Sequence, residues 1–331
     1  MADISLADIK KLRDMTSAGM MDCKNALTEA EGDFKRAVEI LREKGKSTLA
    51  KRGDNETTQG AVLSRINGGK AILVCLGCET DFVAATPDFK ALAGSIADAA
   101  IASFPADLEA LKAVKAADGY TLDENITNQA GKTGEKHVLA FYGALEAPFV
   151  SEYVHFNGKL GAIVSFNKVV PADIARGIAM QVASMNPVAV DPASVPAEVL
   201  ESEKTVAIQK TRDEMVQKAV DAALKKVGIN PAHVDSEDHI ESNTAKGWLT
   251  PEQANQAREI IKTVGAEKAA SLPEQMIQNI ANGRVQKFLK ENTLVEQEYQ
   301  LSDDKQTVGA ALAAADKEAK VLAFKRFSLN D

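Results

Sequence analysis

The chain has 331 residues, of which 45% are hydrophobic and 26% charged, so it can bury a sizeable core in two or three modules or in one core with appendages. Its formal net charge of −8 leaves no surplus of lysine and arginine to neutralise phosphates, which argues against nucleic acid as the main ligand and toward a protein partner. No apolar run nears the roughly 20 residues that span a bilayer, and the first residues lack the basic start and apolar stretch of a signal peptide. Three cysteines, an odd number, fit a reducing compartment without structural disulfides, so the expected location is the cytoplasm, away from membranes.

Residues 1–52 read as a three-helix module. Ser5 and Asp8 can cap a first helix whose inward face carries Leu6, Ile9 and Leu12. A second helix over 20–30 turns Cys23, Ala26 and Leu27 inward. A third starts at Gly32-Asp33, spaces Phe34, Ala37, Val38 and Leu41 along one face, and is expected to end at Gly45. Polar residues 53–60 show no periodicity and read as a linker.

A hairpin-plus-helix pattern then occurs twice. Strand-like 61–66, the turn Asn67-Gly68-Gly69 and the apolar run from Ala71 form the first hairpin. A helix opening near Pro87-Asp88 follows it. The second hairpin is 149–156, turned by Asn157-Gly158 into 160–166, with a helix from Pro171 through Met185. The expected fold class is therefore α+β, with related subdomains over 61–146 and 147–331. The pattern is helical from about Pro196 to Leu289, and its long stretches within about 196–272 form either a projecting antiparallel, coiled-coil-like arm or a pair of ordinary surface helices. A short helix near 307–315 and a strand near 321–327, within the closing segment 302–331, end the chain.

Catalytic signatures are absent from the sequence. Gly131-Lys132-Thr133 resembles the end of a phosphate loop, but Ile126 stands where the first glycine belongs and no strand leads into it. Cys75 and Cys78 have the spacing of a redox pair, yet Cys75 sits inside an apolar strand and reads as core packing. The four histidines pair with no cysteine or carboxylate at metal-ligand spacing, so neither metal nor cofactor is expected. Two features remain. Thr80-Asp81-Phe82-Val83 places an acid beside a large aromatic on a loop leaving a buried strand, where a scaffold aims side chains outward. His155 lies in a hairpin strand just before its turn, a position that suits either packing or an exposed edge shared with the Asp81-Phe82 loop.

Two local signatures carry a resemblance to a known family. Met15-Thr16-Ser17-Ala18-Gly19-Met20-Met21-Asp22-Cys23-Lys24-Asn25-Ala26-Leu27 resembles the N-terminal signature of the bacterial elongation factor Ts family, and Cys78-Glu79-Thr80-Asp81-Phe82-Val83-Ala84 resembles its second. Weaker matches around His155, at 179–187 and at 283–289 follow in the correct order. The resemblance implies a guanine-nucleotide exchange factor for elongation factor Tu, binding it in GDP-bound and nucleotide-free forms, and not a bond-making enzyme. It further implies that the chain itself binds no nucleotide and that residues 1–52 are a ubiquitin-associated-like (UBA-like) domain docking on the partner's G domain through Arg13, Met20 and Met21. Thr80, Asp81, Phe82 and Val83 would dislodge the partner's Mg²⁺, and His155 would support a second push toward its phosphate loop. Where many members carry Gly-Glu-Asn-Ile and paired arginines, this chain reads Gly134-Glu135-Lys136-His137-Val138, so the resemblance assigns that segment no role. The competing reading is an adaptor that binds a protein through the three-helix module without driving release; a thiol oxidoreductase using Cys75 and Cys78 is more distant.

Overall fold

The structure, a computed structural model, describes residues 4–16 and 18–330. Met1, Ala2, Asp3, Ser17 of the first signature and Asp331 lie outside them. Two units emerge, Met1–Val190 with Leu294–Asp331, and Asp191–Thr293.

The first unit begins with helices α1 (Leu6–Thr16), α2 (Met20–Glu29) and α3 (Phe34–Lys51). Ser5 and Asp8 cap α1 reciprocally, each side chain accepting the other's backbone N–H. Ile9, Leu12, Cys23, Ala26, Leu27 and Ala37 form the module's core. Leu6 is exposed, because the apolar face it shares with Ile9 and Leu12 is covered only from Ile9 onward. Gly45 does not end the third helix. It is buried within α3, where a Cβ would stand 2.1 Å from the Thr127 carbonyl oxygen of α7 (Leu122–Thr133). Close approach to α7 offsets the roughly 1 kcal/mol that glycine costs inside a helix.

Two three-stranded antiparallel sheets follow. The first has the order β1 (Gln59–Asn67), β2 (Lys70–Cys78), β3 (His137–Glu146), and the second β4 (Phe149–Val154), β5 (Leu160–Phe166), β6 (Val321–Ser328). Between β2 and β3 the chain forms α4 (Asp81–Ala85), α5 (Pro87–Ser103), α6 (Leu108–Lys112) and α7. The second sheet carries α8 (Ala172–Met185), and α13 (Val308–Ala315) precedes β6.

β2 is buried along nearly its whole length because both of its faces are covered. Ile72, Val74, Leu76 and Cys78 face a core with Phe89, Ile96, Leu111 and Leu122 from the helices. Ala71, Leu73 and Cys75 face the other way, onto Val150 and Ile163 of the second sheet. Stacked rings of Phe141 and Phe327, 4.9 Å apart, continue that inter-sheet layer. A third core, built on Val164, Phe166, Ile178 and Leu312, covers the outer face of the second sheet. The layers are thus helix, sheet, sheet, helix.

The second unit holds α9 (Ala197–Lys226), α10 (Glu237–Ala245), α11 (Pro251–Ala270) and α12 (Glu274–Asn292). Both α11 and α12 pack along α9. The helical insertion therefore reaches Thr293, further than the 196–272 expected for the arm, because α12 packs back along α9 beside Arg212 and Glu214. An ion pair of Arg212 with Glu274 (2.6 Å) and one of Arg284 with Glu214 (2.5 Å) mark that return. Val220, Leu224, Ile229, Ile240, Leu249 and Ala257 close a small core at the far end. Among the described residues no helix is long and apolar enough to cross a membrane.

Candidate functional site

Thr80, Asp81, Phe82 and Val83 leave the end of β2, where Cys78 is still buried. They do not form an open loop. Thr80 is the N-cap of the one-turn helix α4, its Oγ1 accepting the Val83 N–H at 3.3 Å. Thr86 then breaks α4 from α5, extended as a residue before proline must be, and caps α5 in turn. Asp81 and Phe82 occupy the first turn of α4 and point away from the body: Asp81 is exposed and Phe82 is 84% exposed. Val83 instead packs partly onto the helix-side core. Leaving the Phe82 ring in water forgoes about 2–3 kcal/mol of burial, so the backbone beneath it must be held firmly.

Two carboxylates hold it. Glu135 accepts the Thr80 N–H at 3.1 Å and the Thr80 hydroxyl at 2.6 Å. Glu79 accepts the Lys136 N–H at 2.5 Å, so the strand exit and segment 134–138 exchange carboxylate–backbone bonds reciprocally. Glu79 also accepts from Arg52 (2.6 Å) and Asn55 (2.7 Å), while Lys136 Nζ donates to the carbonyls of Gly53 and Asn55. Burial alone would raise the Glu79 carboxyl, but the Lys136 N–H, Asn55 and Arg52 outweigh it and leave it below its ordinary value. Hydrogen bonds to a charged group contribute about 1.5–3 kcal/mol each, enough to match the cost of holding an aromatic ring out. The segment for which the resemblance gave no role is the support of this site.

Beneath the clasp lies His137, buried, its Nδ1 donating to the Glu135 carbonyl at 3.0 Å and its Nε2 without a partner. Burial pushes this imidazole below its ordinary value, against the opposing pull of the Glu135 carbonyl and the Glu135 and Glu79 charges. Nearby, burial pushes the thiols of Cys75 and Cys78 up to about 12, assisted at Cys78 by the Glu135 charge. Both thiols are free and buried, which favours core packing over redox chemistry at this pair.

His155 is not a strand residue. β4 ends at Val154, and His155 opens the turn, its N–H donating to Leu160 and its carbonyl accepting from Gly158, both at 2.8 Å. Tyr153 Oη lies 2.8 Å from His155 Nδ1, and the imidazole packs against the Phe156 ring in a tilted arrangement, centroids 4.3 Å apart. Phe156 is 92% exposed, a second apolar probe that the sequence reading passed over. A phenylalanine directly before an Asn-Gly turn was the available signal, since the tip of a two-residue turn leaves no neighbour to cover it. In the same unit, the Val62 N–H donates to the Gly158 carbonyl at 2.7 Å, which brings this tip against the first sheet.

The three-helix module presents its expected residues unevenly. Arg13 and Met21 are exposed, whereas Met20 packs partly onto the module's own core. Among the described residues no group of three or more His, Cys, Asp and Glu is placed to hold a metal ion.

Comparison with known proteins decides the family. The family model described as elongation factor TS matches residues 79–331. The chain belongs to the elongation factor Ts family. Elongation factor Ts of Bacteroides thetaiotaomicron is 54% identical over 327 residues, covering 98% of each chain. That of Porphyromonas gingivalis is 36% identical over 327 residues, covering 99% of this chain and 98% of its own. That of Christiangramia forsetii is 34% identical over 333 residues, covering 99% and 100%.

Proposed function

We propose that this chain serves translation elongation as the guanine-nucleotide exchange factor of elongation factor Tu, with Asp81 and Phe82 as its wedge. The observation that carries this reading is the 84% exposed Phe82 beside Asp81 on a capped, doubly clasped turn. A large ring held in water on a fixed support is built to be buried by something else.

GDP on such a GTPase is held by Mg²⁺ and by the backbone N–H groups of a phosphate loop. Phe82 enters an apolar slot between helices of the partner, and its burial releases about 2–3 kcal/mol that can shift the elements supporting the metal. Asp81, carried with it, disturbs the water and side-chain network around Mg²⁺, with Thr80 and Val83 fixing the direction of approach. The hairpin tip at His155 makes a second contact directed at the phosphate loop. Arg13 and Met21 of residues 1–52, a ubiquitin-associated-like domain in this reading, dock on the G domain, with Met20 supporting them from the module's core.

Exchange then follows from linkage. A factor that binds nucleotide-free partner more tightly than the GDP-bound form weakens GDP by the same coupling free energy, and incoming GTP displaces the factor in turn. The chain makes and breaks no covalent bond in this scheme, binds no nucleotide itself and works in the cytoplasm. Release of fluorescent GDP from elongation factor Tu, with and without the chain, is the test. An unaccelerated release accompanied by stable binding would instead establish the adaptor reading.

A further inference from the structure

The reciprocal clasp between residues 79–80 and 135–136 has a geometry that specifies more than stability. Glu135 reaches across 55 residues of sequence to take both the N–H and the hydroxyl of Thr80, the residue that caps α4. The cap fixes the first turn of α4, and that turn carries Asp81 and Phe82. On the return side, Glu79 takes the Lys136 N–H, so Glu135 is itself held in place by the strand it clasps. Glu79 also takes Arg52 and Asn55, which ties the same joint to the tail of α3. Both carboxylates are bonded to backbone and side chains of this chain.

We infer that Glu135 is a positioning residue for nucleotide exchange: through Thr80 it holds Asp81 and Phe82 in the projecting orientation, and Glu79 anchors the segment that carries it. This rests on the wedge reading above. Without Glu135 the Thr80 amide and hydroxyl lose their acceptor, the cap loosens, and Phe82 falls back onto the adjacent apolar surface where Val83 already packs.

The test uses the full-length chain and GDP release from elongation factor Tu across a range of factor concentrations. Glu135→Ala is expected to lower the maximal release rate about tenfold while the half-saturating concentration moves less than about twofold, because docking surfaces remain and the population of the poised turn falls. Glu135→Gln, which keeps an acceptor oxygen, is expected within about threefold of wild type. Hydrogen exchange in the free chain should show lost protection at the amides of Thr80 and Val83 in Glu135→Ala. Thr307→Ala, which removes the cap of α13 remote from the clasp, supplies a comparable melting loss and should keep the full rate. Full-rate release by Glu135→Ala beside slow Phe82→Ala overturns the positioning role and leaves the wedge standing. Full-rate Phe82→Ala overturns both, whatever Glu135→Ala does, since Glu135 is then not acting through that ring. Unchanged amide protection in Glu135→Ala also overturns the clasp.

Discussion

The Lys159 ammonium donates to Gln59 Oε1 at 2.6 Å, and Gln59 stands opposite Cys78 in the first sheet. That bond joins the tip of the second hairpin to the strand end from which Thr80, Asp81 and Phe82 emerge. Phe156 and Phe82, two of the most exposed large apolar side chains in this unit, therefore lie at one end of the sheet pair.

The exposed Phe156 ring at the hairpin tip should contribute to exchange without contributing to folding. Phe156→Ala is expected to slow GDP release about fivefold or more, the effect of truncating an aromatic anchor at an interface, with an unchanged melting temperature. His155→Ala should cost less exchange than Phe82→Ala, because its imidazole is half-covered by Tyr153 and Phe156. Stopped-flow release and a thermal melt on each variant check both statements.

Gly45 gives a prediction whose sign is opposite to helix propensity. Glycine to alanine inside a helix ordinarily stabilises by about 1 kcal/mol. Here a Cβ would meet the Thr127 carbonyl at 2.1 Å, so Gly45→Ala should destabilise by about 1–3 kcal/mol as α3 and α7 are forced apart. Denaturant unfolding measures the sign directly.

His137 should make stability fall on mild acidification. Its folded-state value is depressed below the ordinary 6.5 by burial, so the unfolded chain takes up the proton first as pH falls. Stability is fully present above the unfolded value and declines as pH drops through it toward the lower folded value, with a slope of at most about 1.4 kcal/mol per pH unit. Denaturation midpoints at pH 7.5 and 5.5 should differ more for wild type than for His137→Gln.

The buried thiols should be dispensable for function. Cys75→Ala is expected to lower stability by about 1 kcal/mol through lost packing and to leave GDP release unchanged. A loss of release with retained stability would revive thiol chemistry at this pair.

Much of this fold was legible because its signals are local. The apolar run of β2, the Asn-Gly turns, the caps at Ser5 and Asp33, and the helix opening at Pro171 and closing after Met185 all appear where short-range chemistry puts them. What was not legible depends on partners distant in sequence. Gly45 looks like a helix stop until α7 is seen against it. α12 belongs with α9 only through contacts such as Arg284 with Glu214, 70 residues away. At the site, the acid–aromatic pair stood out as a local anomaly, but the Glu135 that braces it did not, since nothing near Thr80 in sequence points to it. β3 and the Thr121 capping box before α7 had local signals that the reading left unused.

Phe82 is expected to drive release of GDP from elongation factor Tu. Stopped-flow release of a fluorescent GDP, measured with saturating wild type and with Phe82→Ala, tests it most directly. Wild type should accelerate release strongly and Phe82→Ala should lose most of that acceleration, with the two proteins melting at the same temperature because the ring is exposed. Equal acceleration by both, or none by wild type, would contradict it.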